Sequence, residues 1–193
     1  MTELTDLVRE KLLEGVSIAE AIASDPALQS KLIKASEATA AALKSGHKLM
    51  VAGNGGSAAD AQHLVAEFVS RLVDDRPAMR AVALTTDSSI LTAVGNDYGF
   101  EQVFSRQIQA LGRPGDVAIG ISTSGHSPNV IAAMREARKK GLKSIGLAGK
   151  DGGALAKCVD IPITIVSQNT ARIQECHITV GHLICELAEK NLE

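Results

Sequence analysis

His63 and Glu67 stand four residues apart in the run Asp60-Ala61-Gln62-His63-Leu64-Val65-Ala66-Glu67. On a helix that spacing puts both side chains on one face, about 6 Å apart. An imidazole and a carboxylate so placed can hold a metal ion or act as an acid–base couple, although an ordinary surface pair has the same spacing. A second group of such residues lies in Arg172-Ile173-Gln174-Glu175-Cys176-His177-Ile178-Thr179-Val180-Gly181-His182. Gln174 and His182 are eight residues apart, roughly 12 Å along a helix axis. One copy of the helix can scarcely bring both to one ion unless Gln174 lies on a bent start. A shared site is therefore expected, with one of these side chains supplied by a neighbouring subunit. His177 falls on a different face from His182 and reads as structural.

Two segments rich in glycine and hydroxyl groups stand where an apolar strand should turn into a helix. They are Gly53-Asn54-Gly55-Gly56-Ser57 and Ser122-Thr123-Ser124-Gly125-His126-Ser127. Such a junction aims backbone N–H groups and the positive end of a helix at whatever lies in front of it. Ser127-Pro128 reads as an N-cap followed by proline at the first helical position. A plain cap explains one or two hydroxyls. Ser122, Thr123, Ser124 and Ser127 supply four within six residues, the donor density that a phosphate dianion needs, and His126 can join them.

The first segment fits Gly-x-Gly-x-x-Ala, by itself a weak match to the dinucleotide fingerprint. Asp87 can serve as that fingerprint's acid or cap the next helix, and the cap is the preferred reading. No lysine follows the glycines, so the loop is not a P-loop. Asn54 and Ser57 add polar reach that a pyrophosphate turn does not require, which favours contact with a sugar. Gly95-Asn96-Asp97-Tyr98-Gly99 reads as a simple turn, or as the place where Asn96 and Asp97 bond sugar hydroxyls. Together these residues describe a site for a phosphorylated polyol.

The elements that must position them alternate along the chain. Residues 3–45 read as two helices broken near Ser24-Asp25-Pro26, where Asp25 can cap and Pro26 can open the second. Strands are predicted at 47–52, 80–85, 116–121, 143–148 and 160–166. Helices are predicted at 57–73, 87–94, 100–111, 128–140, 152–157 and 171–190. Five short apolar runs separated by helices mean an α/β fold with a doubly wound, five-stranded parallel sheet covered on both faces. The crossovers should be right-handed. Ligands of such folds gather beyond the carboxyl ends of the strands, where strand order reverses. The leading pair, 1–45, reads as part of the same domain as 46–193. It carries more apolar surface than one sheet face needs, which suggests an oligomer contact.

The 193 residues are enough for one domain with a real core. Hydrophobic residues make up 45% and charged ones 22%, as in an ordinary globular protein. Aromatics are 2% with no Trp, so the core must be aliphatic and alanine-rich. A formal net charge of -2 argues against nucleic-acid or membrane-surface binding. An anionic ligand must then be held by local dipoles and hydroxyls. Cys158, Cys176 and Cys185 form no CxxC pair and suit buried thiols in a reducing cytoplasm. No apolar run reaches a membrane span and no basic signal region opens the chain, so a cytoplasmic location is expected.

The motifs GNGGSAADAQH (53–63), AVGNDYGFEQVFSRQ (93–107), GDVAIGISTSGHSPNV (115–130) and RIQECHITVGH (172–182) resemble the sugar-isomerase (SIS) domain family, and within it the phosphoheptose isomerases. The resemblance covers nearly the whole chain. It implies conversion of sedoheptulose 7-phosphate to D-glycero-D-manno-heptose 7-phosphate, the first step toward activated heptose for surface glycans such as lipopolysaccharide. It also implies a homotetramer with active sites between subunits and one Zn2+ per site. Carried over by position, the metal ligands would be His63, Glu67, Gln174 and His182. Substrate contacts would be Asn54, Gly55, Gly56, Ser57, Glu67, Asn96, Asp97, Ser122, Thr123, Ser124, Ser127 and Gln174. Some relatives carry an acid where this chain has Ala171, and Asn169-Thr170 can supply polar contact instead.

Under that resemblance Glu67 is the catalytic base that moves a proton between C1 and C2. His182 manages protons at the oxygens. Zinc would polarise the carbonyl or organise the site, and a Glu bound to it would be a poorer base. Two other readings stay open. One is a non-catalytic SIS module that binds a replication initiator protein, which would need none of these four polar residues. The other is an isomerase for a shorter sugar phosphate.

Overall fold

The computed structural model describes residues 2–192. Two helices lead, α1 (Glu3–Ala23) and α2 (Pro26–Lys44). Asp25 caps α2 by accepting from the amides of Ala27 and Leu28 at 2.9 and 3.1 Å, with Pro26 in the first turn, as expected. The chain then alternates through β1 (Leu49–Gly53), α3 (Gly56–Val69), β2 (Ala81–Ala83), α4 (Ser88–Tyr98), a 3-10 turn (Phe100–Gln102) and α5 (Ser105–Leu111). It continues through β3 (Val117–Ser122), α6 (Pro128–Lys139), β4 (Lys143–Gly149), α7 (Gly153–Cys158), β5 (Ile161–Ile165) and α8 (Thr170–Lys190). The five strands form one sheet in the order β2-β1-β3-β4-β5, and every pair is parallel.

Alternation along the central strands sends side chains to two cores. Leu49 and Val51 of β1, Ile119 of β3 and Ile145 of β4 face α2, α3 and α8. Met50, Ala52, Ala118 and Ala148 face α5, α6 and α7. The second face is built from small residues so that its helices can approach closely. A Cβ on Gly120 would press on Val130 and Met134, and one on Gly146 on Leu155 and Val159. These two glycines are register partners on β3 and β4. Branched aliphatic side chains on one face and mostly alanine and glycine beside Met50 on the other give a tight core without Trp.

Several boundaries differ from the sequence reading. The helix expected over 57–73 stops at Val69, and β2 is three residues instead of 80–85. The helix expected over 87–94 runs on to Tyr98, so Asn96 and Asp97 are helical and no turn lies at Gly95. Gly99, at φ 88°, takes the reversal instead. The segment 100–111 divides into the 3-10 turn and α5. Asp87 caps α4 by accepting from the amide of Ile90 at 2.9 Å, which removes it from any nucleotide role. No helix among the described residues is long and apolar enough to cross a membrane.

Candidate active site

From β1 the chain moves outward to β2, then returns to lay β3 against the other side of β1. The loops after β1 and β3 therefore face one crevice at the carboxyl edge of the sheet, where the order reverses. A pair of amides joins them. Asn54 Nδ2 donates to Asn129 Oδ1, and Asn129 Nδ2 donates to Asn54 Oδ1, both at 2.8 Å. Asn54 thus spends its side chain on loop geometry, and its main chain remains for a ligand. Gly55 is the N-cap of α3 at φ 56°, a conformation that favours glycine.

Ser127 is the N-cap residue of α6, as expected, but its hydroxyl bonds no amide of that helix. It turns to Ser122 Oγ at 2.8 Å, and Ser124 Oγ lies 3.3 Å from Ser122 Oγ. The amide of Val130 is satisfied by Asn129 Oδ1 at 2.9 Å instead. Three hydroxyls therefore converge at the start of a twelve-residue helix, with Thr123 part-exposed beside them. Gly125, at φ 68°, lets the loop lie against Gly152 and Gly153, which a Cβ would prevent. Ser57 is buried under the first loop. His126 is exposed at the edge of the second.

The titratable groups come from α3 and α8, which run side by side in the same direction. Gln174 of α8 meets Gly56, the first residue of α3, and Gly181 meets Leu64 farther on. His182 meets His63, their Nε2 atoms 2.8 Å apart and their ring centroids 5.0 Å apart at 74°. His63 Nε2 is 3.2 Å from Glu67 Oε1, so the expected i,i+4 pair faces inward to a third group. One donor atom from each of His63, Glu67 and His182 lies within 4.8 Å of the others. His63 is about half exposed and Glu67 is mostly covered. Two imidazoles and a carboxylate are a donor set that suits a divalent ion such as zinc, so these residues fit a metal.

The single chain thus assembles three of the four expected metal ligands. Gln174, the fourth, lies across Gly56, where any Cβ would collide with its amide. Asn96 and Asp97 occupy the exposed last turn of α4, where Asn96 Nδ2 donates to Asp97 Oδ1 at 2.8 Å. No hydrogen bond among the described residues joins them to the loops after β1 and β3. Asn169 caps α8 through the amide of Ala171 at 3.1 Å and donates to Glu14 at 2.9 Å. His177 is fully buried. Burial pushes its imidazole down to about 4, against the opposing pull of the Ala148 carbonyl.

Asn129 was not anticipated, because its partner lies 75 residues away. Asp60 stands one turn before His63 on α3. It borders a hollow of about 300 Å³ with Gln174 and Ala171, and one of its carboxylate oxygens is buried without a partner. Burial raises its carboxyl above the usual range, and the neighbouring His63 and His182 oppose that shift.

A model of the SIS domain matches residues 17–149. The chain belongs to the SIS domain family, a class whose sheet and crevice are those just described. Phosphoheptose isomerase from Geotalea daltonii is 53% identical over 185 residues, covering 96% of this chain and 95% of the relative. Two solved structures are similar throughout. Phosphoheptose isomerase from Neisseria gonorrhoeae matches with a TM-score of 0.90 and 42% identity, over 97% of this chain and 99% of that one. The enzyme from Francisella tularensis matches with a TM-score of 0.90 and 36% identity, over 98% and 100%. Within the SIS class, the chain's family is that of the phosphoheptose isomerases.

Proposed function

We propose that this chain is an aldose–ketose isomerase that converts sedoheptulose 7-phosphate to D-glycero-D-manno-heptose 7-phosphate. One observation carries the reading: Glu67 and His182, from distant parts of the sequence, converge beside His63. The similarity to phosphoheptose isomerases over nearly the full length supports the substrate. Ser122, Thr123, Ser124 and Ser127 would bind the phosphate, with the N-terminal amides of α6 adding positive potential. Asn54, Gly55, Gly56, Ser57 and Gln174 would hold the sugar chain. Asn96 and Asp97 would join from α4 of a neighbouring copy.

Glu67 takes the proton from C1 of the ketose and returns it to C2, on one face of an enediol. His182 moves the hydroxyl proton from O1 to O2, so the carbonyl passes from C2 to C1 with no net change in atoms. Each such transfer contributes roughly 10²–10⁴-fold in rate. His63, Glu67 and His182 would hold one Zn2+, with Gln174 as fourth ligand from a neighbouring chain or after a shift away from Gly56. When bound, the ion supplies positive charge to the oxygens of the reacting carbons. His182 has two ring nitrogens, one for an ion and one for a proton.

A homotetramer in the cytoplasm completes the reading. A contact between copies is supported by α1, a helix of 21 residues with none buried. Leu4, Leu7, Val8, Leu12, Leu13 and Val16 of that helix are all exposed. Purified protein offered sedoheptulose 7-phosphate and shorter ketose phosphates, with and without a chelator, tests the proposal. Aldose formation from the seven-carbon ketose that the chelator suppresses is expected. No turnover of any ketose phosphate would leave a non-catalytic binding module, and preference for a pentose phosphate would reassign the substrate.

A further inference from the structure

Arg76 and Glu189 lie outside the crevice, in the loop after α3 and near the end of α8. Their side chains are 11% and 3% exposed, and Arg76 Nη2 is 2.6 Å from Glu189 Oε1. Removing one partner of so buried a pair leaves an uncompensated charge. The connections of the pair reach farther than each other. Arg76 Nη2 also donates to the main-chain carbonyl of Glu67 at 2.8 Å, and Nη1 to that of Phe68 at 2.9 Å. These carbonyls belong to the last turn of α3, which has no helical partner for them. Glu189 accepts from the amides of Leu72 and Val73 at 3.2 and 3.1 Å. The guanidinium thus holds the backbone of the proposed base, and the carboxylate holds the loop that carries the guanidinium.

The other end of this connection is equally specific. Glu189 follows His182 by seven residues, two turns along α8, so both project from the same side of that helix. One end of the ion pair grips the residue that carries the base. The other grips the helix that carries the imidazole. We infer that Arg76 and Glu189 are positioning residues for the isomerisation, clamping α3 to α8 so that Glu67 and His182 keep the separation proton transfer needs. The inference rests on the isomerase reading above. A displacement of about 1 Å between reacting groups costs on the order of 10²-fold in rate. Loss of the clamp should therefore appear in kcat and leave ground-state binding by the loops of β1 and β3 in place.

The test compares wild type with Glu189→Gln and the milder Arg76→Lys, which keeps the charge but cannot reach both carbonyls and the carboxylate. Wild-type turnover of sedoheptulose 7-phosphate tests the isomerase reading by itself, and the ratio of variant to wild type tests the clamp. In variants that stay folded by circular dichroism, kcat should fall about tenfold or more with KM within about twofold. In the metal-free protein, the ring resonances of His63 and His182 should move in nuclear magnetic resonance spectra, whereas those of exposed His126 should not. Unchanged kcat and unchanged ring resonances in either folded variant would overturn the clamp. So would a loss of activity in Arg76→Lys that only follows its unfolded fraction.

Discussion

His177 and His182 share a helix, five residues apart, and have opposite fates. His182 reaches the crevice, whereas His177 is fully buried and its imidazole is pushed down to about 4. A folded value below the unfolded one, 6.5, means that the unfolded chain binds more protons. The stability this supplies is complete above about 6.5 and is lost as pH falls toward 4. Between pH 7 and 5 the loss should be about 2 kcal/mol, measured by chemical denaturation. A His177→Asn variant, already less stable, should show a flatter pH dependence over this window. Equal slopes for the two proteins would contradict the assignment. Asp116, Asp160 and Glu189 act at lower pH. Burial alone would raise each, but amide bonds and neighbouring cations outweigh it and hold the carboxyls low. Their contribution is present above the ordinary carboxylate range and disappears in acid.

Much of the site was legible from single residues. The i,i+4 spacing of His63 and Glu67, the hydroxyls around Ser122 and the cap at Asp87 are local patterns, and local patterns survive in sequence. Asn129, Arg76 and Glu189 act through partners 75 and 113 residues away, and no spacing records such a contact. Ser127 shows a subtler limit. Its position as N-cap was readable, but the turn of its hydroxyl toward Ser122 depends on Asn129 taking over the cap.

The doubly wound sheet was readable from the alternation of elements, because apolar runs of strand length between helical patterns allow few other arrangements. Boundaries were not. α3 stops at Val69, where Arg76 takes up its last carbonyls from outside the helix, and Gly99 carries the reversal past Asn96 and Asp97. The contact of α3 with α8 gives a sharper expectation. A Cβ on Gly181 would stand 2.8 Å from both methyl carbons of Leu64, a side chain that is itself buried. Helix propensity alone favours Gly181→Ala by about 1 kcal/mol. Overpacking a filled core costs about 1–3 kcal/mol and should win here. Gly181→Ala is expected to lower both the melting temperature and kcat, as α8 moves away from α3. A melting temperature equal to or above that of wild type would show that the two helices are not in tight contact.

At the scale of the whole molecule, α1 is the element the single chain covers least. It touches α2 and α8 but buries none of its residues. Six exposed aliphatic side chains along one helix form the sort of patch that marks a protein contact. Replacing one of them, Leu12→Glu, should lower the mass measured by light scattering and reduce activity with it if the sites are completed between subunits. An unchanged mass would exclude α1 from the interface. The same dependence would let Asn96 and Asp97, exposed at the end of α4, reach a neighbouring copy.

The isomerase reading depends above all on Glu67 as the group that moves the carbon-bound proton. Binding of sedoheptulose 7-phosphate by calorimetry and turnover to the aldose should be measured together on Glu67→Gln. Affinity within a few-fold of wild type, with turnover lower by roughly 10²–10⁴-fold, is expected. Turnover near the wild-type rate in that variant would mean that another group performs the transfer.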